Sequence, residues 1–147
     1  MIIQAPRIPA PGQTVLGGRF STAAGGKGAN QAVAAARAGA QVTLVARVGD
    51  DAFGRQALAG FERDHIDTRF VVRDEQAPSG VASIIVDDHG QNAITVAPGA
   101  NANLSPRDVA RAAKTISAAD VVLLQLEIPL DTVRAAMEIA CEHDVRV

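Results

Sequence analysis

Segments with the pattern of β-strands alternate along this chain with segments that have the pattern of α-helices. Residues 42–48 form an apolar, strand-like run, and a helix-like stretch follows over residues 52–64. A second apolar run at residues 121–126 precedes an amphipathic segment at residues 130–142. Strands that alternate with helices favour a parallel sheet with helices on both faces. The sequence therefore predicts an α/β fold.

The middle of the chain interrupts this alternation. Residues 68–73, 81–86 and 93–96 are rich in β-forming side chains, and residues 87–90 have the composition of a hairpin turn. We expect these strands to form a separate small sheet. Helical signals resume at Ser105-Pro106, an N-cap followed by proline at the first helical position.

The pattern of the last residues predicts an incomplete domain. Residues 145–147 resemble the start of another strand, and the alternation supplies only about three central strands, fewer than most sheets contain. We expect such a chain, when isolated, to expose an unpaired sheet edge and to have low stability.

The composition favours a small-molecule partner. With 48% hydrophobic and 20% charged residues, the chain is typical of a soluble globular protein. The net charge of −2 and the absence of Trp and Tyr argue against nucleic acid, which needs basic surfaces and stacking rings. Cys141 is the one cysteine and the three histidines are scattered, which excludes a cysteine-based zinc cluster. No signal peptide or membrane span is evident, so we expect a cytoplasmic protein.

Residues 24–31 form a glycine-rich segment for which three sites compete. A Walker A loop needs Ser or Thr after its lysine, but Gly28 follows Lys27. A dinucleotide fingerprint needs a third glycine where Gln31 stands. A sugar site remains, because small residues admit a ligand close to the backbone, and Lys27 and Asn30 offer hydrogen bonds to hydroxyls. A plain glycine-rich turn with both side chains solvated stays open, and composition alone favours it.

The segment from Gly25 to Gly49 resembles the first signature of the PfkB family of carbohydrate kinases, also called the ribokinase family. The matching positions are Gly25, Gly26, Gly28, Asn30, Ala32, Gly39 and Gly49. Further motifs resemble the ribokinase branch of this family: Pro11-Gly12 with Thr14, and residues 48–51, 66–68, 98–101 and 125–127. The resemblance extends over essentially the whole chain.

The resemblance implies a ribokinase-like three-layer α/β/α domain with a small β-sheet lid, of which residues 1–147 are a part. The lid strands would lie at about 1–24 and 68–100, and the α/β core segments at about 25–67 and 101–147. In the family, an Asn-x-Asp motif precedes the position of Met1, and a Gly-Ala-Gly-Asp segment lies beyond Val147. The resemblance therefore implies a domain that is truncated at both ends.

The resemblance also implies that Gly26, Lys27, Asn30 and Glu127 bind sugar hydroxyls. Glu127 would stand at the end of the predicted strand 121–126, and strand ends are where open α/β sheets place ligands. A carboxylate there accepts hydrogen bonds from two neighbouring hydroxyls. The alternative for Glu127 is a solvated carboxylate in a loop.

Two apolar residues of the predicted lid, Ala82 and Ile84, match family positions that pack over the sugar. The alternative for both is ordinary packing within the lid sheet. No residue of this chain is assigned as catalytic, because the family's general base belongs to the Gly-Ala-Gly-Asp segment. We interpret Asp50 and Asp51 as a turn before a helix, with Asp51 as its N-cap.

The function implied for the full-length protein is ATP-dependent phosphorylation of D-ribose to D-ribose 5-phosphate, a step of D-ribose catabolism. The resemblance implies Mg²⁺ and a monovalent cation such as K⁺ as further cofactors, whose sites would lie mostly outside this chain, and a homodimer formed through the lid. Two alternatives stay open. In the first alternative, the chain is a non-catalytic fragment or pseudoenzyme. In the second, the full-length protein is another member of the family, which phosphorylates a nucleoside or a phosphosugar.

Overall fold

A computed structural model describes residues 1–147. The elements in chain order are β1 (Ile2–Gln4), β2 (Arg19–Ser21), α1 (Lys27–Arg37), β3 (Thr43–Gly49), α2 (Ala52–Arg63), β4 (Asp67–Asp74), β5 (Val81–Val86), β6 (Asn92–Ala97), a 3-10 turn (Gly99–Asn103), α3 (Pro106–Arg111), α4 (Ala113–Ser117) and α5 (Leu130–Glu142). They belong to two compact units. The first contains Met1–Ala24 and Gly80–Ala97, and the second contains Gly25–Ser79 and Pro98–Val147.

The first unit is a four-stranded sheet in the order β2-β1-β5-β6. Strands β1 and β5 are parallel, whereas the other two pairs are antiparallel. The hairpin turn predicted between β5 and β6 is present, and the Asp87 carboxylate accepts hydrogen bonds from the backbone N–H groups of His89 and Gln91, both at 2.9 Å. These hydrogen bonds stabilise the turn, because they satisfy backbone N–H groups with the Asp87 side chain.

The second unit begins with α1 and continues into a β3-α2-β4 segment with parallel strands. One cluster of its core is formed by Ala32 of α1, Phe61 of α2 and Ile66. Phe53, which the helical spacing places on the same face as Phe61, is instead 44% exposed. Gly54 takes the buried position in this first turn, because a Cβ there would lie 2.0 Å from the Gly49 carbonyl oxygen.

A second core cluster joins the last three helices of the chain. Its buried residues are Val109, Ala112, Ile116, Ala136 and Ala140. Helix α3 begins as predicted, with Ser105 as its N-cap, Pro106 in its first turn and a capping box to Asp108. Helix α5 has the predicted bounds, Leu130–Glu142, and its buried side carries small residues that allow close approach to α3 and α4.

Two strand assignments differ from the sequence expectation. β4 pairs in parallel with β3 in the second unit, so the lid range expected at 68–100 is corrected at this strand. The physical reason is the β3-α2-β4 connection, in which a crossover helix brings the next strand back beside the first. Residues 121–126 do not form a strand, because Val121 makes an isolated parallel bridge to Arg146 and no ladder extends from it.

The mixed α/β architecture expected from the sequence is confirmed. None of the helices combines the length and the apolar character that crossing a membrane requires.

Candidate functional site

The glycine-rich segment ends at the first turn of α1. Gly26 precedes this helix with φ at 105°, in the region that only glycine adopts without strain. The Gly26 carbonyl accepts the first helical hydrogen bond from the Asn30 N–H at 2.8 Å. No side chain caps this helix start. Its first backbone N–H groups are therefore left for solvent or a ligand.

The segment that follows residues 121–124 runs alongside this helix start. The Lys27 ammonium donates a hydrogen bond to the Glu127 carboxylate, which makes an ion pair between residues 100 positions apart. One helical turn further on, the Gln125 side-chain amide donates to the Gln31 side-chain oxygen at 3.0 Å. These two contacts place Glu127 at the mouth of the glycine-rich segment.

Gly28, in the first turn of α1, lies close to the Gln125 side chain. A Cβ built on Gly28 would be 3.8 Å from the Cγ of Gln125, an ordinary contact distance. The contact with Gln125 therefore does not by itself require glycine at position 28.

The Lys27–Glu127 pair is open to solvent, with side-chain exposures of 67% and 48%. An exposed ion pair of this kind stabilises a protein by only about 0–1 kcal/mol. Both groups therefore keep their capacity to bind a polar ligand. Asn30 is exposed in the same turn of α1 and adds an amide that donates and accepts hydrogen bonds.

The structure thus brings Gly26, Lys27, Asn30 and Glu127 to one end of α1. Ala82 and Ile84 lie in the first unit on β5, where they pair with Val96 and Ile94 of β6. Both are half-buried.

The sequence alone does not assign Gln31 and Gln125 to this site. Gln31 enters the sequence argument as the residue that breaks a dinucleotide fingerprint, and Gln125 as part of the 125–127 motif. One signal for Gln31 is its spacing from Lys27, because residues four positions apart on a helix lie on one face.

Asp50 and Asp51 lie at the end of β3, away from these contacts in sequence, and Asp51 is the N-cap of α2 as predicted. A hydrogen bond from the Gly54 N–H, followed by two from Ser79, holds the pKa of Asp51 below its usual range. Asp50 is exposed, with Arg55 4.0 Å away. All the hydrogen bonds of the Asp51 carboxylate come from its own unit, which is the arrangement of a structural cap.

A second set of acidic residues surrounds Arg47 of β3. The guanidinium donates to Asp74 at 2.9 Å and to Asp108 at 3.2 Å, and the Asn103 amide donates to Asp74 at 2.8 Å. Hydrogen bonds from Asn103, from the Gln76 N–H and from Arg47 hold the pKa of Asp74 far below its usual range. The hydrogen bonds of these two carboxylates join β3 to β4 and to α3.

No group of three or more His, Cys, Asp or Glu side chains is placed to bind a metal ion.

The family model described as "pfkB family carbohydrate kinase" matches residues 1–147. The chain belongs to this family. Among the curated members of the pfkB family, the ribokinase of Bacillus subtilis is 40% identical over 147 residues, which is 100% of this chain and 50% of the relative. The deoxyribokinase of Salmonella typhi is 38% identical over 147 residues, covering 100% of this chain and 48% of the relative.

A solved structure of Arabidopsis thaliana ribokinase complexed with ribose and ATP is similar to this pfkB-family chain with a TM-score of 0.73 and 30% sequence identity. The match covers 95% of this chain and 47% of that structure. The chain thus spans about half the length of the relatives it matches.

Proposed function

We propose that this chain supplies the sugar-binding part of an ATP-dependent kinase of the ribokinase type, which converts D-ribose to D-ribose 5-phosphate. The observation that carries the proposal is the meeting of Lys27 and Glu127 at the start of α1 in a member of the carbohydrate kinase family. Because the chain spans about half the length of its relatives, the activity is assigned to the whole protein.

The chemistry of the site suits a polyol. Two neighbouring hydroxyls of a sugar donate to the two oxygens of the Glu127 carboxylate, while the Lys27 ammonium donates to a hydroxyl oxygen. Asn30 both donates and accepts, and the glycine at position 26 lets the sugar approach the backbone. Such a set discriminates by hydrogen bonding, because an analogue that lacks one hydroxyl leaves a polar group unpaired.

Sugar binding has to compete with the ion pair that the two side chains form with each other. Since that pair is exposed, exchanging it for hydroxyl groups sacrifices little energy. In the bound state we expect Lys27 and Glu127 to stay close and to share the hydroxyls, with Gln31 and Gln125 holding the backbone of both segments in position.

We also propose roles for residues outside the contacts of α1. Ala82 and Ile84 provide apolar cover for the sugar ring, and the sheet that carries them forms the interface of a homodimer. ATP is the phosphoryl donor, as the ATP complex of the Arabidopsis relative supports, and Mg²⁺ and K⁺ assist it at sites formed mostly by other residues of the whole protein. The compartment is the cytoplasm.

The first test is sugar binding to the chain itself, measured by NMR shifts of the α1 amides during titration with D-ribose. We expect saturable shifts at residues 26–31 that Glu127→Gln weakens by about tenfold, the loss of one charge-assisted hydrogen bond. Glu138→Gln is the matched control, because Glu138 is an exposed carboxylate on α5. Equal ribose affinity for wild type and Glu127→Gln would reject the site.

The second test is ribose-dependent ADP formation by the whole protein that contains this chain. D-Ribose, 2-deoxy-D-ribose, adenosine and fructose 6-phosphate are compared by kcat/KM. The similarity to a deoxyribokinase makes 2-deoxy-D-ribose the critical competitor, since it lacks one hydroxyl of a neighbouring pair. Ribose binding without any phosphoryl transfer would instead favour a non-catalytic protein, and a preference for adenosine or the phosphosugar would place the protein elsewhere in the family.

A further inference from the structure

Two half-buried glutamines join the start of α1 to the segment that carries Glu127. The Gln125 side-chain amide donates to the Gln31 side-chain oxygen at 3.0 Å, across 94 positions of the sequence. The stem of Gln125 also lies against the first turn of α1, since its Cγ is 3.8 Å from a Cβ built on Gly28. Gln125 is therefore held both at its stem and at its amide.

This hydrogen bond and the Lys27–Glu127 ion pair together determine how residues 125–127 lie along α1. Lys27 and Gln31 are four positions apart on the helix and so share one face. Gln125 and Glu127 are two positions apart in a segment without helical structure, and each contacts this face. One contact alone would leave the segment free to pivot about it. Two contacts set both the position and the direction of the Glu127 side chain.

The two contacts respond differently to a bound sugar. Lys27 and Glu127 are exposed, and in the proposed site both side chains bind hydroxyl groups. The two glutamines are half-buried, uncharged and bonded to each other, so water and salt compete less for their hydrogen bond. That bond therefore persists when the ion pair is shared with a ligand, and it then keeps Glu127 in place.

The direction of the Glu127 carboxylate decides how many hydroxyls it binds. Its two oxygens accept from two neighbouring hydroxyls only while the carboxylate faces both, because a hydrogen bond weakens steeply as its angle closes. A carboxylate that has pivoted away accepts from one hydroxyl. An analogue that lacks the other hydroxyl then leaves no polar group unpaired and is no longer rejected.

We propose that Gln31 and Gln125 are positioning residues, whose hydrogen bond makes the site selective for a sugar with two neighbouring hydroxyls over an analogue that lacks one of them. Neither glutamine is assigned a contact with the sugar, because their amides bond to each other and both act through Glu127. This role rests on the proposed function and adds to it the residues that set the specificity of the site.

The test compares kcat and KM for D-ribose, 2-deoxy-D-ribose and 3-deoxy-D-ribose in the whole protein that contains this chain. Gln31→Met and Gln125→Met keep an unbranched side chain but remove the hydrogen bond. Each is expected to raise the KM for D-ribose, with kcat nearly unchanged, and to lower the preference for D-ribose over at least one deoxy sugar by about tenfold. The double variant should change no more than either single variant, because all three remove the same contact.

Gln56→Met is the matched control, because Gln56 is an exposed glutamine on α2, and its preference for D-ribose should equal that of wild type. An unchanged preference in both single variants, beside a lowered one in Glu127→Gln, would overturn the positioning role and leave the proposed function standing. So would single effects that add up in the double variant, or activity toward all three sugars that falls in equal proportion, as a general structural defect produces. A wild type that phosphorylates none of the sugars would reject the proposed function itself, and the role of the two glutamines with it.

Discussion

The Asp51 carboxylate accepts two hydrogen bonds from Ser79, one from its backbone N–H at 2.7 Å and one from its hydroxyl at 2.8 Å. The same carboxylate caps α2 through the Gly54 N–H at 2.8 Å, and the Ser79 hydroxyl accepts from the Gly49 N–H at 3.0 Å. One side chain thereby ties the end of β3, the start of α2 and the segment after β4 to one another.

Replacing Asp51 should therefore destabilise the chain. Asp51→Ala removes the helix cap and leaves the two Ser79 donors without their partner, which is expected to cost about 1–3 kcal/mol. Urea unfolding followed by circular dichroism measures this. Asp50→Ala, at the exposed neighbouring position, is expected to stay within about 0.5 kcal/mol of wild type. Equal losses for the two variants would contradict the role of Asp51.

Two glycines of α2 should respond in opposite directions to alanine. A Cβ at Gly54 would lie 2.0 Å from the Gly49 carbonyl oxygen, so Gly54→Ala forces the strand and helix apart and is expected to cost at least about 2 kcal/mol. A Cβ at Gly60 would meet only the end of the Arg63 side chain, at 3.9 Å. Gly60→Ala is expected to stabilise the chain by about 0.5–1 kcal/mol through helix propensity. Thermal melts of both variants measure these changes. A lower melting temperature for Gly60→Ala than for wild type would contradict the open surroundings of Gly60.

The Asp74 carboxylate should make the stability of the chain depend on pH. The pKa of Asp74 is depressed in the folded chain, so its ionised form stabilises folding above its unfolded pKa of about 4. That contribution is lost as pH falls through the lower, folded pKa. We expect the unfolding free energy of wild type to fall from about pH 4 downward, and Asp74→Asn to show a shallower fall.

Urea unfolding at several pH values, from 7 down to the lowest at which the wild type is still folded, measures how steeply the unfolding free energy falls with pH. Asp50→Asn, in which the removed carboxylate is exposed, should keep the wild-type slope. A slope for Asp74→Asn equal to that of wild type would contradict the assignment.

Breaking the Lys27–Glu127 pair should leave stability nearly unchanged. Both side chains are exposed, so Lys27→Met and Glu127→Gln are each expected to change the unfolding free energy by less than about 1 kcal/mol. Urea unfolding of both variants measures this, and it separates a binding role from a structural one. A loss well above that value would mean that weakened ribose binding reflects unfolding.

Local chemistry explains which elements the sequence could predict. The Ser105-Pro106 start of α3, the Asp51 cap of α2 and the bounds of α5 depend on residues within a few positions of each other. The partner of β4 was not predictable from its β-rich composition, since composition does not say which strand lies alongside. Residues 121–126 have a strand pattern, yet a strand also needs a neighbour along its length, and here only Val121 pairs.

In the candidate site, too, local features were predictable from the sequence and long-range contacts were not. The glycine-rich segment drew attention to Lys27 and Asn30, but their proximity to Glu127 came only from the family resemblance, because 100 residues separate Lys27 from Glu127. The Gln31–Gln125 hydrogen bond depends on the same long-range arrangement and was missed.

The pairing of β1 with β5 also sets an order of events during synthesis. Ile2 lies opposite Ile84 in this parallel pair, and the residues between them include the whole Gly25–Ser79 segment of the other unit. Strand β1 can pair with β2 early, but β3, α2 and β4 have already left the ribosome before β1 can pair with β5. Closing so long a loop is slow, since its entropy must be lost before the contact is gained. The edge of β1 that later pairs with β5 therefore stays unpaired until β5 is made, and chaperones that bind exposed strands have that interval in which to act.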